Sequence, residues 1–324
     1  MLTSAYKSET AILYHFEGCG NVERYVASTP WTRRISNDPT LAGIAYTDAL
    51  QAACTAVLKT ADFEFEEDSG VVVNILRGGL NYGLRHALSD AYGWNRHTTC
   101  FISAQRARNA DDSEEWHITE NAYRKVYFPR KASLFIGDVV ATGTSLRYAL
   151  SELVSSAKRA GTQFRDIVFF TIGGPQASNI LQDVDTECRR LFPAYRRTIL
   201  IYMEGCFEVP ETESPLTIRL TGTDLVRRGS VMAPEFIESQ YENPAFPIER
   251  CTIYDAGSRA FWVREFADDV CDYWKQVLEL AERGTDYKSY LAERFPELDV
   301  TRFGIVDLKA LALKQIEKMQ AFLP

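Results

Sequence analysis

Apolar positions along this chain change their period several times, and each change marks an element. Residues 71–76 (VVVNIL) form a short β-branched run that stops at Arg77-Gly78-Gly79, after which Leu80, Leu84, Ala87, Leu88 and Ala91 recur at helical spacing. The pattern predicts a strand, a glycine turn and a helix. Residues 99–103 (TCFIS) predict a further strand. Residues 133–136 (SLFI) predict a short buried strand that runs into GDVVATGTS, and Leu146, Ala149, Leu150, Leu153, Val154 and Ala157 then mark one apolar helix face closed by Gly161. Residues 167–172 (IVFFTI) read as a central strand, Leu181, Val184, Cys188 and Leu191 as a helix face, and residues 198–203 as another strand.

Strands alternating with helices imply an α/β fold: a mostly parallel twisted sheet with right-handed crossovers and helices on both faces. Ligands of such sheets bind beyond the carboxyl ends of the strands, where both glycine loops fall. Residues 104–131 form a polar stretch too long for an ordinary connection, which predicts a functional lid or an arm with its own small structure. After residue 208, prolines at 210, 215, 234, 244 and 247 break the register, and two helices are expected near 259–283 and 307–322. The expected organisation is an N-terminal arm over 1–40, an α/β core over 41–208, and an irregular, α-rich cap or packing region over 209–324.

Composition narrows the function classes. With 46% hydrophobic and 25% charged residues the 324-residue chain has the balance of a folded globular protein. Its 36 basic and 44 acidic side chains give a net charge of −8, which argues against nucleic acid as a partner while leaving room for a local cationic pocket. Seven cysteines stand singly, without CxxC spacing, and read as reduced, mostly buried thiols. No apolar run approaches the roughly 20 residues of a membrane span, and the N-terminus lacks a leader pattern, so a cytoplasmic protein with no membrane partner is expected.

The chemistry concentrates in residues 137–145. A strand delivers the chain to a turn rich in glycine and hydroxyls and a helix leaves it, so successive N–H groups and a helix N-terminus converge on one point, an arrangement that suits a phosphate. A nucleoside-triphosphate loop would need GxxxxGK[ST], but five residues separate Gly137 from Gly143 and Thr144 occupies the lysine position. Asp138, an acid at the mouth of an anion site, would repel phosphate unless it points elsewhere. A carboxylate that accepts from a sugar diol beside the sugar's own phosphate resolves the conflict, giving a ribose 5-phosphate ligand; the competing account is that Asp138 merely caps the turn.

LFIGDVVATGTSL resembles the phosphoribosyl-diphosphate (PRPP) motif of the type I phosphoribosyltransferases: an apolar strand, an acidic pair, then a Thr-Gly-Thr phosphate loop. Leu76-Arg77-Gly78-Gly79 resembles that family's earlier pyrophosphate loop, which often holds a non-proline cis peptide, and 104–131 takes the place of its mobile hood. The likeness covers roughly residues 71–203. One departure is Gly137, which replaces the first acid of the pair; single-acid versions and the LRGGL wording are closer to the uracil enzymes. The resemblance implies that Ala141, Thr142, Gly143, Thr144 and Ser145 hold the 5-phosphate, that Val139 belongs to the substrate-binding loop and that Asp138 orients the ribose. Arg77, with Gly78 and Gly79, would receive pyrophosphate, and Arg106 and Arg108 would close over it. Catalysis would rest on Asp138 and Arg77. Mg²⁺ would come bound to the substrate, with no dedicated protein metal site.

The implied function is transfer of the phosphoribosyl group from PRPP to a nitrogenous base or related acceptor, in a homo-oligomer, as a dimer. The alternative is a non-catalytic regulatory protein that senses PRPP or a nucleotide on the same fold. Tyr123, Arg124 and Lys125 are further lid candidates, and Gly173-Gly174-Pro175 is a candidate border of the acceptor pocket. His15, His86, His97 and His117 form no catalytic spacing. Gly18 and Gly20 begin a GxG whose third glycine position holds Glu23, so a dinucleotide site is not expected.

Overall fold

The computed structural model describes residues 1–18, 20–108, 116–218, 224–250 and 256–322. In chain order its strands are β1 (Leu2–Lys7), β2 (Ile12–Phe16), β3 (Glu23–Ser28), β4 (Gly70–Leu76), β5 (Thr98–Ser103), β6 (Gln105–Arg108), β7 (Trp116–Glu120), β8 (Arg124–Lys125), β9 (Lys131–Val140), β10 (Gln163–Gly173), β11 (Arg197–Glu208) and β12 (Val226–Met232). The helices are α1 (Pro30–Asn37), α2 (Ile44–Thr60), α3 (Leu84–Tyr92), α4 (Thr144–Ala160), α5 (Gln176–Leu191), α6 (Pro234–Ser239), α7 (Ala256–Phe261), α8 (Val263–Glu282), α9 (Tyr287–Arg294) and α10 (Leu308–Phe322).

The main sheet runs β1-β2-β3-β11-β10-β9-β4-β5-β8, with β12 also paired to β11. From β3 to β5 all neighbours are parallel, whereas β1, β2, β8 and β12 join antiparallel. The expected mixed α/β architecture with a mostly parallel sheet is therefore present. Strands β4, β9, β10 and β11 are almost continuously buried because helices cover both faces of a parallel sheet. Residues 1–40, expected as an arm, contribute three strands to this sheet, and the 209–324 region contributes β12 as well as helices.

Strand order fixes where the chain opens a crevice. From β4 the chain steps outward through α3 to β5, then returns to the other side of β4 as β9 and proceeds through α4 to β10 and α5 to β11. Right-handed crossovers in opposite directions put α3 and α4 on opposite faces, so the boundary between β4 and β9 is the topological switch point. The long polar stretch folds in part as the antiparallel β6–β7 ribbon, which runs beside α4. The helix expected over 259–283 is interrupted at Trp262, which sits between α7 and α8 at φ −129°, ψ 51°. Cys54, Cys100, Cys188, Cys206 and Cys271 are buried and free. Among the described residues no helix is long and apolar enough to cross a membrane.

Candidate functional site

Two loops leave adjacent parallel strands at the switch point. β9 ends at Val140, and a three-residue turn leads into α4, with Gly143 at the helix N-cap in the left-handed region at φ 78°. A Cβ on Gly143 would also lie 2.3 Å from Ile180 Cδ1, so the backbone favours glycine and any side chain there would displace the end of Ile180. The Gly143 carbonyl accepts from the Arg147 amide at 2.9 Å, closing the first helical turn. The N–H groups of Gly143, Thr144 and Ser145 find no acceptor among the described residues, leaving them available to an anion at the positive end of the helix dipole. Thr142, Thr144 and Ser145 are half-buried, Ala141 and Gly143 are buried, and the Thr142 and Thr144 hydroxyls stand 3.4 Å apart.

The second loop follows β4. The Leu76–Arg77 peptide is cis, at the place where the resemblance puts such a bond. Arg77 is exposed, and residues Gly78–Tyr82 form a 3-10 turn that leads into α3. Gly78 and Gly79 are explained by close approach rather than by unusual dihedrals. A Cβ on Gly78 would stand 3.0 Å from Asp138 Oδ1, and one on Gly79 would stand 3.2 Å from the Gly137 carbonyl oxygen and from Asn74 Cα. The two loops are thus in contact, and Asp138 lies at their meeting point. Half-buried Asp138 accepts through Oδ1 from the Val139 amide at 2.9 Å. The structure accordingly brings Arg77, Gly78, Gly79 and residues 138–145 to one place.

Glycine at position 137, where the motif it resembles carries an acid, has a steric reason. The ring of fully buried Tyr82 lies against Gly137, where a Cβ would come within 2.3 Å of Tyr82 Cγ and 2.7 Å of its Cβ and Cδ1. The Tyr82 hydroxyl donates to the Asp138 carbonyl at 3.0 Å and accepts from the Ile172 amide at 3.2 Å, tying the turn to β9 and β10. Burial pushes this hydroxyl well above the usual tyrosine pKa, so it stays a donor. Nothing in the sequence pattern singled out Tyr82. The only signal was its place one turn after the Gly-Gly pair.

The other candidates are distributed differently. Arg106 and Arg108 lie on β6 opposite Ile118 and Trp116, on the ribbon that rises from the end of β5; their side chains fall outside the described residues. Arg124 is paired with Glu152 on α4, while Tyr123 and Lys125 are exposed. Gly173 and Gly174 border filled space: a Cβ on Gly173 would meet the Val140 carbonyl at 2.5 Å, and one on Gly174 the Phe207 carbonyl at 2.8 Å. His86 is exposed on α3, and His15 packs edge-on against Tyr25.

Farther along the same sheet edge, Glu204 marks where β11 exchanges its partner β3 for β12. It is fully buried at φ 64°, and Oε1 accepts from the Thr29 amide at 3.1 Å and from the Thr32 hydroxyl at the start of α1. Burial pushes its pKa up to about 7. No family model matches the chain, and no curated protein is significantly similar to it.

Proposed function

We propose that this protein is a type I phosphoribosyltransferase-like enzyme that transfers the 5-phosphoribosyl group of PRPP to a nitrogenous base or related acceptor. The observation that carries the reading is the apposition of two loops at the switch point: three open amides at the start of α4 beside a carboxylate that touches the Gly78 turn. An anion-binding helix end, a diol-binding acid and a cationic glycine turn match, in order, the 5-phosphate, ribose and diphosphate of one substrate.

In this reading the N–H groups of Gly143, Thr144 and Ser145, with the hydroxyls of Thr142, Thr144 and Ser145, anchor the 5-phosphate. Asp138 accepts from the ribose hydroxyls and stabilises the positive charge that develops over C1 and the ring oxygen. Arg77 and the Gly78-Gly79 main chain receive the diphosphate. The acceptor nitrogen's lone pair forms the N–C1 bond as the C1–O bond breaks, the electron pair leaves with pyrophosphate, and the acceptor's proton passes to solvent. Among the described residues no three His, Cys, Asp or Glu side chains group as a metal site, and the oxygen donor of Asp138 suits a Mg²⁺ ion that enters on the diphosphate. When bound, that ion would neutralise charge on the leaving group. In this reading the β6–β7 ribbon, which runs beside α4, serves as the cover over the reacting centre.

The test is PRPP- and Mg²⁺-dependent release of pyrophosphate over a panel of bases, with Asp138→Asn beside the parent. The proposal expects at least one base to stimulate release and the variant to lose about tenfold to a hundredfold, the range for removing a charged hydrogen-bond acceptor. Tight PRPP binding with no turnover on any base would replace the enzyme by a PRPP sensor.

A further inference from the structure

Arg77 is the cation that the proposed site offers to the departing diphosphate, and it is held by a residue from the far end of the chain. Its guanidinium carbon stands 5.6 Å from the ring centroid of Trp262, within cation–π range. Among the described residues Arg77 forms no salt bridge. Trp262 is 53% exposed and Arg77 is exposed as well, so their contact lies at the surface of the molecule.

The indole is placed by a rigid support. Arg259, fully buried one turn earlier in α7, donates from Nε to the Leu41 carbonyl at 2.7 Å, from Nη1 to Ile35 at 3.0 Å and from Nη2 to Asp38 at 2.7 Å. Its guanidinium also lies over the rings of Tyr46 and Phe266, at 4.9 and 5.3 Å. The Trp262 amide donates to the Ser258 carbonyl at 2.8 Å, and its own carbonyl accepts from the Phe266 amide at 3.1 Å. α7 is thereby pinned between the α1–α2 connection and the Gly78–Tyr82 turn.

We infer that Trp262 is a positioning residue for Arg77, so that the C-terminal region completes the leaving-group side of the site; the inference rests on the PRPP reading above. Stacking uses the face of the guanidinium and leaves its five in-plane N–H donors free for the oxygens of a diphosphate. An exposed arginine must otherwise freeze several rotors when it binds, and a ring already beneath it removes part of that cost. Trp262 itself touches no reacting atom.

The test measures, on the full chain, the affinity of Mg²⁺-pyrophosphate and separately of ribose 5-phosphate by calorimetry. Trp262→Ala is expected to weaken pyrophosphate about twofold to fivefold, the range of an exposed cation–π contact, and to leave ribose 5-phosphate unchanged. Trp262→Phe, which keeps an aromatic face, should recover most of the loss, while Trp262→Leu should not; the last pair decides the matter if the alanine variant does not fold. Pyrophosphate affinity equal in Phe and Leu variants would overturn the inference. Failure of the parent to bind ribose 5-phosphate would instead remove the underlying reading of the site.

Discussion

Gly137 offers the sharpest test of how this site is built, because its substitution should act against the usual sign. Gly137 is not among the positive-φ glycines, so alanine fits the backbone, and restricting the unfolded chain would by itself stabilise by about 0.4–1 kcal/mol. The added Cβ, however, would sit 2.3 Å from Tyr82 Cγ, well inside van der Waals contact. The ring cannot swing aside cheaply, since its hydroxyl bridges the Asp138 carbonyl and the Ile172 amide at 3.0 and 3.2 Å. Overpacking costs about 1–3 kcal/mol and an orphaned buried polar group a further ~1–3 kcal/mol, so Gly137→Ala should lose about 2–5 kcal/mol net. Urea unfolding monitored by circular dichroism reads this as a lower midpoint at unchanged slope. Gly137→Asp, which writes the acid pair of the motif that the loop resembles, should be at least as unstable and, on the proposed reading, should not tighten PRPP. Combining Gly137→Ala with Tyr82→Ala should cost less than the sum of the singles, because losing the ring removes the 2.3 Å approach to Cγ, although the Cβ at 2.7 Å remains. A Gly137→Ala protein as stable as the parent would refute the steric account of the missing acid.

Other consequences follow from single contacts. Gly143→Ala meets both φ 78° and Ile180 Cδ1 at 2.3 Å, so it should lower stability by about 1–3 kcal/mol in thermal melts, partly relieved by Ile180→Ala. Arg259→Leu removes the arginine donors of two buried carbonyls and a half-buried one and should cost at least ~2 kcal/mol in urea unfolding. Burial raises Glu204 and Glu249 to about 7, above their unfolded value, so the folded chain keeps protons that the unfolded chain releases. Their contribution is fully present below about pH 4.5 and is lost as pH rises to 7; Glu204→Gln should therefore gain stability relative to the parent between pH 5 and pH 8, and a pH-independent difference between the two would contradict this.

The parts of this molecule that local pattern specifies were legible in the sequence. β-branched runs gave β4, β9, β10 and β11, and Gly161 does close α4, at φ 69°. What depends on distant partners was not. β3 belongs to the sheet because Glu23–Ser28 pairs with β11, a contact nearly two hundred residues away that no local period reports. The 259–283 helix breaks at Trp262; beyond the break Phe266, Val270, Tyr273 and Val277 are buried, while Ala281 on the same spacing is half-buried. In α10 Leu308, Ala312, Gln315 and Met319 are buried, and Leu311 and Ile316 are half-buried against the same core. For the proposed site, residues 137–145 suggest an anion loop through their own chemistry. The roles of Tyr82 and Trp262 come from tertiary neighbours, a glycine's empty side and an arginine's exposed face, which leave no mark in the linear pattern.

The most direct measurement is a crystal structure of the full chain with ribose 5-phosphate bound. The account predicts phosphate oxygens about 3 Å from the N–H groups of Gly143, Thr144 and Ser145, with the ribose hydroxyls on Asp138. A sugar phosphate seated elsewhere, or those amides engaged by the protein's own chain at saturating ligand, would contradict it.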